Sequence, residues 1–132
     1  MFMKISTKGK YALLIMIDIA KEYKNDNYVS LKDISEKEHI SLKYLEKIML
    51  DLTKGDYFIT LRGKTGGYKL KYDPKKYIIG DILRLAEGSV DVAGCDKNTC
   101  PRKGICKTFS IWDDLNNLIN DYLDNKTLDD YI

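Results

Sequence analysis

The chain has 132 residues, with 22 Lys+Arg against 20 Asp+Glu, one His, three Cys and 44% hydrophobic residues. That length supports one domain with a small appendage, and 32% charged residues with only two Pro exclude a low-complexity or collagen-like chain. The charge is unevenly spread: residues 1–80 hold 16 Lys+Arg and 10 Asp+Glu, net +6, while residues 81–132 hold 6 and 10, net −4. A basic front and an acidic back point to a polyanion-binding end.

Lys4, Lys8 and Lys10 precede an apolar run over residues 11–20, as in a signal peptide. The run contains Asp18, is too short to span a bilayer and lacks a small-residue cleavage site. The expectation is a soluble, cytoplasmic protein with no membrane contact. Residues 7–22 read as a first helix, apolar around most of its girth through Tyr11, Leu14, Ile15, Met16, Ile17 and Ile19. Asn25-Asp26-Asn27 is a turn, and Tyr28-Val29 has the composition of a brief strand. Ser30 stands three residues before Asp33, a capping-box-like pair that starts a short helix to about residue 37. Ser41 caps a third helix over residues 42–54, with Leu42, Leu45, Ile48, Met49 and Leu52 inward, and Gly55-Asp56 ends it.

The period then changes. Residues 57–61 and 68–72 have strand composition, joined by the glycine-rich tip Arg62-Gly63-Lys64-Thr65-Gly66-Gly67. Three helices followed by a hairpin is the order of a winged helix-turn-helix domain. After Asp73-Pro74, residues 79–87 read as a fourth helix, 88–107 as a loop holding all three cysteines, and 108–123 as a long last helix. Trp112, Leu115, Ile119 and Tyr122 form a coiled-coil-like seam on that helix, with Ile111 and Leu118 as a second stripe. So much apolar surface predicts a homodimer. The fold class is therefore mainly α with a small β-hairpin wing. Residues 1–80 form the winged helix-turn-helix DNA-binding domain, and residues 81–132 form the cysteine loop and a long C-terminal dimerisation helix.

Ser41, Lys43, Tyr44, Glu46 and Lys47 lie on the outer side of the third helix, which suits the major groove of double-stranded DNA. Ser41 and Tyr44 can donate to phosphate or bases, Lys43 and Lys47 can neutralise phosphates, and Glu46 can accept from a cytosine amine. The same pattern also describes a solvated helix face. At the hairpin tip, Arg62, Lys64 and Thr65 stand beside three glycines, which suits a phosphate or a narrow minor groove. Lys8 adds a cation near the first helix. No Gly-Lys-Ser/Thr opens a helix, so a nucleotide-binding phosphate loop is excluded.

Cys95, Cys100 and Cys106 are spaced x4 and x5 in a polar loop. Three soft thiolates on one loop can wrap a metal centre, and thiolates favour iron–sulfur clusters or zinc. Three unpaired thiols, or one disulfide with a spare, fit the same spacing. One His and no nucleophile–base pair argue against an enzyme, and a ferredoxin-type carrier needs a fourth good ligand.

Residues 41–47, Ser-Leu-Lys-Tyr-Leu-Glu-Lys, and 61–70, Leu-Arg-Gly-Lys-Thr-Gly-Gly-Tyr-Lys-Leu, resemble the Rrf2 family of bacterial transcription regulators. So do the opening Lys4-Ile-Ser-Thr-Lys-Gly-Lys-Tyr-Ala12, the run Trp112-Asp-Asp-Leu and the pair Thr127-Leu128, so the resemblance spans nearly the whole chain. It implies a winged helix-turn-helix dimer that binds a palindromic operator, as a repressor. The cysteine triplet resembles the family's iron–sulfur-cluster-regulator and nitric-oxide-sensor branch, which implies a [2Fe-2S] or [4Fe-4S] cluster on Cys95, Cys100 and Cys106. Control of cluster biogenesis or a related stress response follows from that likeness. The alternatives are a cluster-free repressor of cysteine and sulfur metabolism governed by a partner protein, and a nitric-oxide-sensing repressor.

The triplet departs from the branch in three places. The first gap is one residue shorter than usual. Phe109 replaces a His expected three residues after the last Cys, and Lys10 stands where an Asp would come from the first helix. His39 reads as a turn residue. The fourth ligand stays open among His39, Glu38, Asp91, Asp96, an external thiol and water.

Overall fold

A computed structural model describes residues 5–88, 90, 91, 102 and 104–132. Five helices and one hairpin follow the expected order. They are α1 (Thr7–Lys21), α2 (Leu31–Glu38), α3 (Leu42–Leu52), β1 (Phe58–Leu61), β2 (Gly67–Leu70), α4 (Ile79–Glu87) and α5 (Phe109–Asp124). Among the described residues, no helix is long and apolar enough to cross a membrane.

The caps explain the helix starts. Ser30 accepts from the Asp33 amide at 3.0 Å, and Ser41 accepts from the Tyr44 amide at 3.4 Å. His39 ends α2 in the left-handed conformation, the conformation that turns α2 into α3 in the helix-turn-helix. The third helix stops at Leu52, two residues short of expectation, and tightens into a 3₁₀ turn over Thr53–Gly55. Asp56 then takes φ 57°, a role that its short polar side chain tolerates.

Strands β1 and β2 pair antiparallel, with Phe58 opposite Leu70 and Leu61 opposite Gly67. Both are shorter than residues 57–61 and 68–72. One residue before β1, the Tyr57 carbonyl accepts across the hairpin from the Lys71 amide at 3.0 Å and also from the Tyr77 hydroxyl at 2.6 Å. The expected strand at Tyr28-Val29 is a single bridge from Val29 to Tyr68.

One core holds the helices together. Ala12, Ile15, Met16 and Ile19 of α1 are buried with Leu45, Ile48 and Leu52 of α3. Ile82, Leu83 and Ala86 of α4 and Leu128 beyond α5 belong to the same cluster, so the core runs across residue 80. Leu128 reaches it because Ile78 and Thr127 form a bridge and the Leu128 amide donates to the Tyr77 carbonyl at 3.0 Å.

No residue of α5 is fully buried. The helix docks on its own chain through Leu123, which packs against the core, and through polar groups: Asn116 donates to Asp91 at 2.9 Å, Asn120 donates to the Val90 carbonyl at 3.1 Å, and Arg84 donates to Asn120 at 2.8 Å. Arg84 also pairs with Asp124 at 2.8 Å. This docking turns the helix so that Trp112, Leu115 and Ile119 are half-buried. The outward apolar stripe is Ile111, Leu118 and Tyr122, at 57%, 67% and 57% exposure.

Tyr77 ties wing to core: buried to 2%, it donates to Tyr57 and accepts from the Tyr72 amide at 3.0 Å. Tyr77→Phe keeps the ring but takes away the acceptor of the Tyr72 amide and one of the two donors to the Tyr57 carbonyl, which costs about 1–3 kcal/mol. Urea unfolding should show that loss with an unchanged denaturant slope.

Candidate nucleic-acid interface and cysteine site

The outer face of α3 is built by its own amphipathicity. Leu45, Ile48, Met49 and Leu52 point into the core, which leaves Lys43, Glu46 and Lys47 exposed. Ser41 is exposed as well, but its hydroxyl oxygen is engaged as the cap. Tyr44 is half-buried: its ring meets Tyr11 of α1 edge-on, with centroids 5.8 Å apart. Ser6, Thr7, Lys8 and Tyr44 line one small cleft beside this contact. Lys8 forms an ion pair with Asp51 of α3, so it braces α1 on the recognition helix. The Lys8 ammonium and the Lys54 ammonium hold the Asp51 carboxyl below the usual carboxylate range, Lys8 being the larger cause.

The wing presents a second set of cations. Arg62, Lys64 and Thr65 are exposed at its tip. Gly63 has φ 108°, a conformation that L side chains avoid, and the Gly66 amide closes the turn on the Gly63 carbonyl at 3.1 Å. A Cβ on Gly67 would strike the Val29 carbonyl. Among the described residues, none of Lys43, Lys47, Arg62 and Lys64 has an acidic partner within 4.0 Å. Unpaired cations on an exposed helix and hairpin suit phosphate oxygens.

Between α1 and α2, a small polar cluster surrounds one buried carboxylate that periodicity does not single out. Asp18 is 7% exposed, and Lys37 lies 3.6 Å away. Asp18 Oδ2 has no ordinary donor. The Glu38 carboxyl is raised above its usual range, first by its interaction with Asp18 and then by burial. An apolar helix carrying one Asp was the available hint.

Of the three cysteines, Cys95 and Cys100 lie outside the described residues, as does Asp96. Cys106 stands just before α5, 3.4 Å from the Thr108 hydroxyl. That hydroxyl holds the Cys106 thiol below its ordinary range, helped by the backbone amides of Thr108 and Phe109 and by the Arg102 charge, and opposed by burial. A thiol biased towards thiolate is chemically suited to ligate iron or zinc. Among the described residues, no three His, Cys, Asp or Glu side chains are grouped to hold a metal. Phe109 opens α5 and is half-buried, and His39 sits exposed at the turn that ends α2.

A helix-turn-helix with a two-stranded wing and a separate C-terminal helix defines a winged-helix transcriptional regulator. The Rrf2 family model, described as an iron-dependent transcriptional regulator, matches residues 5–132. This chain belongs to the Rrf2 family.

The HTH-type transcriptional regulator IscR of Vibrio campbellii is 39% identical over 127 residues, which span 96% of this chain and 75% of that protein. The structure titled T. potens IscR has a TM-score of 0.77 at 35% identity, covering 96% of this chain and 84% of that one. The structure of CymR, the global cysteine regulator of B. subtilis, has a TM-score of 0.78 at 34% identity, covering 96% and 94%.

Proposed function

We propose that the protein is a cytoplasmic, homodimeric repressor whose affinity for a palindromic operator responds to an iron–sulfur cluster. The observation that carries the DNA-binding part is the set of unpaired cations shared by α3 and the wing. Residues 1–80 read the DNA, and residues 81–132 carry the cysteines and the dimer helix. Lys43 and Lys47 neutralise phosphates, Ser41 and Tyr44 border the backbone contact, and Glu46 accepts from a cytosine amine in the major groove. Arg62, Lys64 and Thr65 enter the minor groove, and Lys8 steadies α1 behind them.

Cys95, Cys100 and Cys106 are the ligands of a [2Fe-2S] or [4Fe-4S] cluster, and the low thiol range of Cys106 supports this. Such a cluster supplies a redox- and oxygen-sensitive centre when bound. The chain's part is to hold the Cys106 thiol below its ordinary range through Thr108, with α5 beginning at Phe109. Relatives named IscR favour control of cluster supply. A second reading, a cluster-free repressor of cysteine metabolism, draws on the similarity to CymR.

Three outcomes test the proposal. Arg62→Ala should weaken operator binding by ~1–3 kcal/mol, and Lys43→Ala should weaken all duplexes alike and lower the salt slope by about one unit. Fluorescence anisotropy across a salt series checks both, and wild-type binding by Arg62→Ala removes the wing from the interface. Protein purified without oxygen should contain iron and acid-labile sulfide, and the triple Cys→Ala variant should lose both and shift its operator affinity. Iron-free wild-type protein would leave the cysteine-metabolism reading. Leu118→Asp places a charge in the outward stripe of α5 and should give monomers by sedimentation; an intact dimer rejects that stripe as the interface.

A further inference from the structure

Glu87 is the last residue of α4, yet its carboxylate caps the start of α1. Its Oε1 accepts from the Ser6 amide at 3.1 Å, from the Gly9 amide at 2.9 Å and from the Ser6 hydroxyl. A negative group is favoured at a helix N-terminus, where unpaired amides converge. The place is shaped for this carboxylate: a Cβ on Gly9 would collide with Glu87 Oε1. Ser6 already caps the helix by accepting from the Gly9 amide at 3.3 Å, so Glu87 adds a second, long-range cap. The partners are separated by 78 and 81 residues in the chain.

Both sides of this contact lead to functional parts. On one side, the first two turns of α1 hold Lys8, paired with Asp51 of α3, and Tyr11, against which Tyr44 of α3 packs. On the other side, Gly88 ends α4 at φ 89°, and the chain is pinned to α5 almost at once. Asn120 donates to the Val90 carbonyl and Asn116 to Asp91. The cysteine segment follows directly in the sequence.

We infer that Glu87 is a positioning residue that sets α1, and through it the recognition helix, according to the state of the cysteine segment and α5. The inference rests on the DNA-reading role proposed above and does not require the cluster. Coupling between two sites needs an element that both sites bias. Here that element is the first turn of α1, gripped by a side chain from the root of the cysteine segment.

The test perturbs the cysteines without metal. Full-length, metal-free protein is treated or not treated with iodoacetamide, and affinity is measured for a duplex that the wild-type chain selects from a random pool. Alkylation should change wild-type affinity by about fivefold or more, and Glu87→Ala should bring that ratio to about one. Glu87→Gln keeps an acceptor oxygen and should retain part of the ratio. Gly9→Ala displaces the carboxylate without removing it and should behave like Glu87→Ala. A merely structural cap would lower both affinities by one factor and leave the ratio intact. If Glu87→Ala fails to fold, Gly9→Ala and Glu87→Gln decide the matter. A ratio of one in the wild type, or the full ratio in Gly9→Ala, overturns the inference. A cluster assay on the same wild-type chain is read separately. Iron-free protein that keeps the alkylation ratio sinks the cluster and leaves Glu87 in its role.

Discussion

Val29 and Tyr68 exchange two backbone hydrogen bonds of 2.8 Å, and this pair fixes the wing on the helical body. The approach is close enough that only glycine fits at position 67. Tyr68 then packs against Phe58 across the hairpin, with centroids 5.6 Å apart, and the Tyr77 hydroxyl secures the hairpin's base. A two-stranded hairpin alone is marginal in water. Here the Val29 bridge and an aromatic bed give it a fixed angle to α3. The distance between the α3 cations and the wing cations depends on that angle.

The arrangement also separates rigidity from responsiveness. The helices of the reading head share a dry core of aliphatic side chains, which resists continuous deformation. The contact of α5 with the rest of its chain is different. Apart from Leu123, which packs against the core, it is made of amides, a guanidinium and carboxylates, in Asn116, Asn120, Arg84, Asp91 and Asp124. Polar contacts at a half-exposed surface are individually weak and exchange with water at little net cost. Glu87 lies at the junction between the two, at the end of α4.

Much of this was legible in the residues alone. Helix α4 occupies the residues expected of it, because its amphipathic run is short and Gly88 closes it. The hairpin followed from the Gly-rich tip, and the α3 cations followed from the Leu/Ile face opposite them. Other features depend on long-range register. Lys8 and Tyr44 stood out as candidates for DNA contact, but their partners Asp51 and Tyr11 emerge only once α1 and α3 cross. Glu87 reads as an ordinary acidic helix end, since its amide partners lie at the opposite end of the domain. The apolar seam of α5 was visible as a broad stripe; which edge turns outward is set by Asn116 and Asn120, polar residues that periodicity discounts.

The placement of Leu128 bears on how the protein is made. Its side chain is fully enclosed in the reading head's core, and the Lys126 carbonyl just before it accepts from the Ile79 amide at 2.9 Å, at the entry to α4. A ribosome delivers the helix-turn-helix and the wing long before it delivers residue 128. Until then the nascent head has every helix of its core and a hole where one leucine belongs, and a cavity of that kind weakens packing by about 2–5 kcal/mol. The head is therefore held short of its final stability during synthesis. It sets only when residues 126–128 thread back beside Tyr77 and Ile79, so a segment from beyond α5 finishes the core of the winged-helix body.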